Sequence, residues 1–434
     1  MNILISNPYF PPYAPGGAEY SLVQMCERFA EFGWSVRVIT NCYDGKPRRE
    51  FQNGYEVEWL QCPVELLPGQ QIDASEYLAT KGYHESLTNA LVLAAGEMGH
   101  DTVFIANNAQ SFRGTVKAAQ IASIPVAGIV RDTQIICEGG ACIDNTPADI
   151  AIPCSGPFGM ARCFLKFLRR RDVRGLRPVP GILAKGLLLG MRRESLRREG
   201  LLQLDVIITI SDALRSLIAK VPSVHPKRVQ TIRNFHSNII PTSPERVEAF
   251  LATLGLAGKR FFLVAGRKTI GKGVDLAVEA AGKIVKSHPD AAVLFLGRER
   301  LWITAGANVI DHESVSQELL LGILQAAKAL IIPGRWQEGL HRTMIDALHV
   351  GVPVICSNVG APPVDGVLDG RTGFVVPCED SPALASAMIR ILDWTSEQRA
   401  ACRIASKERY LANFGSELLM TQWATALNQM IEVR

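Results

Sequence analysis

Two carboxylates, Glu338 and Asp346, lie eight positions apart across the start of a predicted helix. If the helix runs from Gly339 onward, they stand ~12 Å apart along its axis at ~1.5 Å per residue. In a nucleotide-sugar, the hexose and the ribose lie roughly this far apart. One acid could therefore hold hydroxyl groups of the hexose and the other those of the ribose. The free N–H groups at the helix N-terminus would face the diphosphate between them. The spacing indicates a nucleotide-sugar site, and its alternative is a helix with an acidic first turn and one solvated aspartate.

Two cations, Arg267 and Lys272, lie in the glycine-containing segment 266–273, which follows a predicted strand and precedes a predicted helix. A guanidinium and an ammonium placed together suit a diphosphate. The segment is not a Walker loop, because its glycine spacing and the residue after Lys272 do not fit that motif. In open parallel sheets, ligands bind beyond the carboxyl ends of strands, where this segment and Glu338 both fall. The shared location favours one anionic ligand over the alternative of two solvated cations.

Two adjacent glycines, Gly16 and Gly17, join the first predicted strand to the first predicted helix. No Cβ would separate this backbone from a ligand, and the helix N–H groups would point outward. The segment lacks the tight Gly-x-Gly-x-x-Gly turn of a dinucleotide site. The pair therefore suits close approach of a ligand, and its alternative is a flexible loop.

A group of four cysteines lies in a stretch interrupted by glycine and proline. Four thiols could hold zinc or an iron–sulfur cluster, but the close Cys-x-x-Cys pairs of a strong site are absent. The alternative is free or packed thiols. The four residues are Cys137, Cys142, Cys154 and Cys163.

The segment 162–198 interleaves arginines and lysines with apolar residues such as Phe164, Phe167 and Leu187. Such a pattern suits an interfacial segment on an anionic membrane surface. It equally suits a solvated basic helix whose apolar face packs on its own domain. A lipid-linked acceptor would fit the first interpretation.

The chain has 434 residues, which is enough for two domains of usual size. Its 46 basic and 42 acidic side chains give a net charge of +4, which is too small to indicate nucleic acid as a partner. The first residues read as a core strand rather than a signal peptide, and no apolar run is long enough to span a membrane. Ten cysteines without a secretory signal indicate reduced thiols and a cytoplasmic protein.

Apolar strands alternate with helical patterns such as Gly17–Phe32, and a second alternating series begins at Phe261–Ala265. Strands this apolar predict parallel sheets covered on both faces. A polar, proline-marked stretch that runs to about Arg246 separates the two series and is the expected linker. The predicted fold class is therefore α/β, with two Rossmann-like, doubly wound domains at residues 1–237 and 238–414. The final helical pattern, in 415–434, could cross back to the first domain.

Five groups of motifs occur in an order that a known enzyme family shares, and together they cover nearly the whole chain. They are Pro11-Pro12 with Gly16-Gly17-Ala18-Glu19, Gly266-Arg267 with Lys272-Gly273, Glu338 to Asp346, Gly351-Val352-Pro353-Val354, and Gly360-Ala361-Pro362-Pro363 with Asp369-Gly370-Arg371-Thr372-Gly373. With these motifs the chain resembles the retaining glycosyltransferases of family 4, within the glycosyl transferases group 1. The resemblance implies a GT-B fold, in which two Rossmann-like domains face a cleft. The N-terminal domain would bind the acceptor and the C-terminal domain the nucleotide-sugar.

The resemblance also implies a role for each matching residue. Arg267 and Lys272 would bind the diphosphate, Asp346 the ribose, and the glycine pair Gly16-Gly17 would lie on the phosphate side. The sugar would be held by Glu338 and the residues after it, which are Gly339, Leu340 and His341. The predicted catalytic residues are Glu338, Arg131 and Asp132.

Four positions depart from the family pattern. Asp346 and His341 stand where the family usually has glutamate and often has glycine. Arg131 replaces a histidine that orients the donor sugar in the family, and since arginine does not titrate, it leaves only charge stabilisation of the departing diphosphate. The glutamate expected after Pro362 is missing.

The favoured hypothesis is a cytoplasmic hexosyltransferase, peripheral on the inner face of the cell membrane if the basic segment binds lipid. It would move a hexose from a nucleotide-sugar to a glycan or lipid-linked saccharide, with retention and without metal or cofactor. One alternative is a nucleotide-sugar epimerase of similar shape, which would need titratable groups where Arg131 stands. The other is a non-catalytic nucleotide-sugar-binding protein, which the four departures make conceivable.

Overall fold

The computed structural model describes residues 1–13, 16–67, 75–99, 101–136, 198–236, 239–337 and 339–432. These residues belong to two compact units. The first contains the described chain up to Phe235 together with the segment from Ser416, and the second runs from His236 to Gly415. The division falls two residues before the boundary set by the sequence, and the roles of the two domains stay predictions.

The described part of the first unit is built on an eight-stranded sheet with helices after its strands. The strands are β1 Asn2–Ser6, β2 Ser35–Cys42, β3 Arg48–Gln52, β4 Tyr55–Gln61, β5 Thr102–Ala106, β6 Val126–Val130, β7 Val206–Thr209 and β8 Val229–Thr231. The helices between them are α1 Gly17–Glu31, α2 Ser75–Leu78, α3 Lys81–Met98, α4 Phe112–Ala122 and α5 Asp212–Ile218. The strand order is β3-β4-β2-β1-β5-β6-β7-β8. All neighbours pair in parallel except β3, which runs antiparallel to β4 at the sheet edge.

The second unit has a six-stranded sheet in which every described pairing is parallel. Its strands are β9 Arg260–Ala265, β10 Ala291–Leu296, β11 Val309–His312, β12 Leu330–Ile332, β13 Val354–Ser357 and β14 Gly373–Val376. Its helices are α6 Pro244–Thr253, α7 Val274–Ile284, α8 Gln317–Ala326, α9 Arg342–Val350, α10 Ser381–Leu392 and α11 Ser396–Phe414. The strand order β11-β10-β9-β12-β13-β14 is the 3-2-1-4-5-6 order of a doubly wound sheet.

The core of the second unit shows why these segments take up this structure. Every residue of β10 is buried, as expected for a central strand that helices cover on both faces. Helix α7 presents Val274, Ala277, Ala281 and Ile284 at helical spacing, and all four are fully buried in the same cluster as the sheet residues. The pattern of apolar residues therefore fixes both the strand and the face of the helix that covers it.

The last helix, α12 (Ser416–Glu432), belongs to the first unit. Its Trp423 is 2% exposed, and the indole ring lies 5.2 Å from the ring of Phe29 on α1 in an edge-to-face arrangement. Aromatic pairs of this geometry add stability beyond the area they bury. No helix in the described ranges has the length and apolar character needed to cross a membrane.

The α/β fold class with two doubly wound parallel sheets is confirmed, and several elements differ from the prediction. The stretch expected to be a linker to about residue 246 already contains the start of α6, with Pro244 at the first helical position. Strand β3 was not predicted, because its sequence Arg-Arg-Glu-Phe-Gln has none of the apolar signal of the other strands.

Candidate functional site

Two loops of the second unit flank the position at which its strand order reverses. β9 pairs with β10 on one side and with β12 on the other. β10 and β11 extend the sheet on the first side, and β12, β13 and β14 extend it on the second. Doubly wound sheets bind ligands beyond the carboxyl ends of their strands at such a switch point. The loop 266–273 follows β9 and the loop 333–341 follows β12, so the two predicted binding segments lie at one sheet edge.

Arg335 joins these two loops. Its backbone N–H donates to the Gly271 carbonyl over 2.9 Å, and its Nη1 donates to the Ile270 carbonyl over 2.8 Å. The same guanidinium forms a bidentate pair with Asp275 in the first turn of α7, with Nη2 and Oδ2 2.7 Å apart. Only 12% of the Arg335 side chain is exposed. One side chain therefore fixes the cation-bearing loop, the start of α7 and the loop after β12 in a single arrangement.

Two glycines allow the loops to approach closely. A Cβ on Gly271 would lie 2.3 Å from the ring of Trp336, and one on Gly273 would lie 1.8 Å from the carbonyl oxygen of Pro333. Gly273 also has a φ of +68°, which other residues adopt only with strain. Neither position accepts a larger residue without moving the loop, so both glycines are needed for this packing.

Lys272 stands between these two glycines, at the end of a short 3₁₀ turn and directly before the residue that caps α7. It is partly exposed, and Arg267 at the beginning of the same loop is exposed. The N-terminus of a helix favours negative charge and presents free N–H groups. A cation beside such a terminus at a switch point suits a bound diphosphate, and the roles of both residues stay predictions.

Lys268 is a third cation in the loop, and its role is structural. It is 4% exposed, and its Nζ donates to the carbonyls of Gly297 at 3.1 Å and His312 at 2.7 Å. The same ammonium is paired with Asp311, so its charge is neutralised inside the protein. Lys268 thus ties the carboxyl ends of β9, β10 and β11 together. Its sequence position gave no sign of this, because its three partners lie 29 to 44 residues away.

The Asp346 side chain on α9 is buried and contacts two polar side chains. Its side chain is 3% exposed, with Oδ1 lying 3.0 Å from Nε2 of His236. Its Oδ2 accepts a hydrogen bond of 3.3 Å from Nε2 of Gln317. A ribose could reach this carboxylate only after His236 or Gln317 moves. The ribose role of Asp346 stays a prediction, and its contact with His236, 110 positions earlier in the chain, could not be predicted from local spacing.

The helix that carries Asp346 begins later than the sequence indicated. α9 starts at Arg342 with His341 as its extended N-cap, so Gly339 and Leu340 precede the helix. The prediction of a helix from Gly339 was wrong, and helix rise does not set the distance between the two acids. The free N–H groups of α9 therefore belong to the turn from Arg342 onward, although Gly339, Leu340 and His341 stay candidates for sugar contacts.

Several predicted residues lie outside the described residues. They are Glu338, the cysteines Cys137, Cys142, Cys154 and Cys163, and all of the basic segment 162–198 except Arg198. Across the ranges that the structure describes, no three His, Cys, Asp or Glu side chains converge as metal ligands do.

In the first unit, Gly16 and Gly17 lie at the start of α1. Gly16 is the N-cap residue in an extended conformation, and its N–H donates to Oε2 of Glu19 over 3.1 Å. Glu19 is 4% exposed, and this burial raises its pKa to about 7 despite the nearby charge of Arg131. A buried carboxyl group therefore holds the glycine pair in place. In the sequence, Glu19 is only one residue of the motif that contains Gly16 and Gly17. Its raised pKa results from burial, which the motif does not indicate.

Arg131 and Asp132 follow β6 at the carboxyl edge of the first sheet. The Arg131 guanidinium donates to Oδ1 of Asn107 at 3.0 Å and to Oδ1 of Asn234 at 2.9 Å. Asp132 accepts a hydrogen bond of 2.7 Å from the backbone N–H of Gln134. Arg131 thus connects the segments after β5, β6 and β8, and it is held in one position by two asparagines. Its catalytic role and that of Asp132 stay predictions.

Replacing Glu19 with glutamine should change how stability depends on pH. Because the folded state raises the pKa of this carboxyl from 4.5 to about 7, the folded protein keeps a proton that the unfolded chain releases. Wild-type stability should therefore fall as pH rises from about 4.5 to 7, by up to about 3 kcal/mol from this group. Glu19→Gln, which keeps an oxygen for Gly16, should remove that dependence. Urea unfolding at pH 5 and pH 8 gives the free energy of unfolding of both proteins. The same change in this free energy between the two pH values in both proteins would contradict the assignment.

The amino-acid sequence of this chain is similar to those of known proteins. Residues 259–393 match the family model described as glycosyl transferases group 1. Spore coat protein SA of Bacillus subtilis (strain 168) is 25% identical over 232 residues, which are 48% of this chain and 61% of that protein. The chain thus spans less than two thirds of the length of this curated relative.

Two solved structures share the fold along the whole chain. Sucrose-phosphate synthase from Thermosynechococcus elongatus superposes with a TM-score of 0.69 at 18% identity, covering 100% of both chains. HepE from Anabaena, solved with UDP and glucose, superposes with a TM-score of 0.66 at 16% identity, covering 99% of this chain and 100% of that one. At this identity the likeness concerns the fold. The segment 259–393 is thus similar to the glycosyl transferases group 1, and the two doubly wound units have the GT-B fold.

Proposed function

We propose that this chain is a retaining hexosyltransferase of family 4. It moves a hexose from a nucleotide-sugar to a glycan or lipid-linked saccharide and needs no metal. The observation that carries the proposal is the position of the Arg267–Lys272 loop, which lies beside the loop after β12 at the switch point of the second sheet. The group 1 match covers both loops, so the family and the geometry point to the same edge.

In the proposed reaction, the second unit binds the diphosphate and stabilises its departure. The bond between the anomeric carbon and the phosphate oxygen breaks, and its electron pair leaves with the nucleoside diphosphate. Negative charge then grows on that oxygen, where Lys272, Arg267 and the N-terminus of α7 stabilise it. Because Arg335 and the glycine contacts hold the backbone of this loop and the start of α7, little backbone reorganisation is needed as the charge develops.

The acceptor attacks the face from which the diphosphate leaves, and its oxygen forms the new bond to the anomeric carbon. The acceptor's proton passes to the departing phosphate oxygen, so the configuration is retained without a protein base. This route is compatible with Arg131, which cannot accept a proton but can place positive charge near the reaction centre. An epimerase would need titrating groups at that position, so transfer is the better-supported activity.

Slow hydrolysis of the donor without an acceptor tests the proposal. UDP-, GDP-, ADP- and dTDP-sugars are each incubated with the purified full chain, with and without EDTA, and the released nucleoside diphosphate is measured. UDP-sugars are tried first, since the HepE structure contains UDP and glucose. We expect one donor class to be hydrolysed at a rate that EDTA does not change. Binding of a donor without any release would favour the non-catalytic alternative, and loss of release in EDTA would contradict metal independence.

A further inference from the structure

A buried histidine contacts Asp346 without making an aligned hydrogen bond to it. His236 is the first residue of the second unit, and its side chain is 4% exposed. Its ring nitrogen Nε2 lies 3.0 Å from Oδ1 of Asp346, yet this nitrogen has no hydrogen-bond partner among the described residues. The N–H therefore does not point at the oxygen. An unpaired ring nitrogen in the interior costs free energy, which a ligand that offers a partner would recover.

The two atoms together are complementary to a hydroxyl group. Oδ2 of Asp346 already accepts a hydrogen bond from Gln317, so Oδ1 is the oxygen left to accept from a ligand. Nε2 of His236 carries a proton in this position, because a nitrogen lone pair facing a carboxylate oxygen at 3.0 Å would be repelled. Oδ1 is therefore an acceptor and Nε2 a donor, and a hydroxyl group can donate to the first and accept from the second.

Ring packing holds the His236 imidazole in this place. The ring of His349, one helical turn after Asp346 on α9, lies 4.4 Å from it at a tilt of 35°. The ring of Tyr410 on α11 lies 5.5 Å from it, edge-on, and 4.7 Å from the ring of His349. Burial, and then the charge of His236, lower the pKa of His349, so its ring packs as a neutral group at pH 7. Three aromatic rings from two helices and the start of the unit therefore support one side of the carboxylate.

We propose that His236 is a second ribose-binding residue of the donor site. One ribose hydroxyl donates to Oδ1 of Asp346 and accepts a hydrogen bond from Nε2 of His236. This role depends on the proposed nucleotide-sugar activity and adds to it a residue that none of the matched motifs contains. Aspartate reaches one methylene less far than the glutamate usual in the family, and a second contact to the same hydroxyl offsets the shorter reach.

The imidazole has to shift when the hydroxyl binds. Hydrogen bonds of ~2.8 Å from one oxygen to both atoms place those atoms ~4.5 Å apart, so the present distance has to increase by ~1.5 Å. The shift breaks no hydrogen bond at Nε2, because that nitrogen has none among the described residues. Only ring packing opposes it, and Gln317 can keep its bond to Oδ2 throughout.

Nucleotides that differ by one ribose hydroxyl test this role on the full chain. UDP, GDP and ADP are titrated into wild type by calorimetry, and the one that binds is compared with its 2′-deoxy and 3′-deoxy forms. The variant is His236→Phe, which keeps an aromatic ring against His349 and Tyr410 and removes the donor. The control is His288→Phe in the same unit. Nε2 of His288 also lies 3.0 Å from an aspartate, Asp393, but at the amino edge of the sheet.

We expect wild type to bind the ribonucleotide ~tenfold more tightly than one of the two deoxy forms. His236→Phe should weaken binding of the ribonucleotide by ~tenfold and binding of that deoxy form by less than ~twofold, which removes the discrimination. A purely structural role of His236 would weaken both equally. His288→Phe should keep the discrimination within ~twofold of wild type.

A second measurement needs no folded variant. The Nε2 NMR signal of His236 in wild type should shift on saturation with the ribonucleotide, and by much less with the deoxy form that binds weakly. Unchanged or tighter binding of the ribonucleotide by folded His236→Phe, equal weakening of both forms, or an Nε2 signal that no nucleotide shifts would overturn the role of His236 and leave the diphosphate site intact. Failure of wild type to bind any of the three nucleotides would overturn it together with the proposed function.

Discussion

Lys272→Ala lowers the rate of sugar transfer or donor hydrolysis by ~10²–10³-fold, which is the usual cost of removing one group that stabilises transition-state charge. The reason is the position of Lys272 between Gly271 and Gly273, directly before α7 and at the switch point of the second sheet. Because the side chain is partly exposed, its removal should leave the melting temperature within about 2 °C of wild type. Steady-state kinetics and thermal unfolding of the same preparations measure both quantities.

Lys283→Ala is the matched control for this variant. Lys283 lies in the last turn of α7 and pairs on the surface with Glu279, with Nζ and Oε1 2.9 Å apart. Its loss removes the same charge from the opposite end of the same helix, and activity should stay within ~twofold because exposed pairs contribute little. Transfer at the wild-type rate by Lys272→Ala would refute the diphosphate assignment. An equal loss of activity in both variants would show that the change in net charge, and not a lost contact with the diphosphate, lowers the rate.

Arg335→Ala should reduce both stability and activity. The change leaves Asp275 without its bidentate partner and removes the bond to the Ile270 carbonyl, at a cost of about 3 kcal/mol because the Arg335 side chain is only 12% exposed. Activity should fall by more than ~10²-fold at a temperature where the variant is folded, because the loop carrying Lys272 loses its fixed position. Unfolding by urea, followed by kinetics at low temperature, separates the two effects.

Arg260 provides the control at the other end of β9. Its guanidinium forms a bidentate pair with Asp290, at 2.6 Å and 2.7 Å, but both side chains are substantially exposed. Arg260→Ala should cost less than about 1 kcal/mol and leave activity unchanged, since this pair lies at the amino end of the strand. Adding Asp275→Ala to Arg335→Ala should recover part of the lost stability without restoring activity. Full recovery of activity in that double variant would contradict the positioning role of Arg335.

The central strands and the main helices of both units could be predicted from local patterns. Helix α1 ends one residue before the predicted Phe32, and strand β9 begins one residue before the predicted Phe261. Ser211 caps α5 by accepting a hydrogen bond of 3.1 Å from the N–H of Leu214. These features depend on apolar runs, helical spacing and capping chemistry within a few residues of each other. Residues in one local stretch were therefore enough to place them.

The contacts that build the site could not be predicted in the same way. The partners of Arg335 and Lys268 lie about 30 to 65 residues away in the chain. The pair between His236 and Asp346 connects a segment that precedes the second sheet to α9, the helix between β12 and β13. The raised pKa of Glu19 depends on burial, which no motif encodes. The start of α9 was placed too early because Gly339 was counted as helical, although glycine is a poor helix former.

The most direct test of the proposed donor site is to compare how nucleoside diphosphate and plain nucleoside bind to wild type and to Lys272→Ala, using the base that the hydrolysis panel selects. Calorimetric titration gives the four dissociation constants. A diphosphate held by the loop after β9 requires the substitution to weaken binding of the diphosphate by ~tenfold or more and to leave binding of the nucleoside within ~twofold. Equal affinity of both proteins for the diphosphate, or equal weakening for both ligands, would contradict a diphosphate site at this edge of the second sheet.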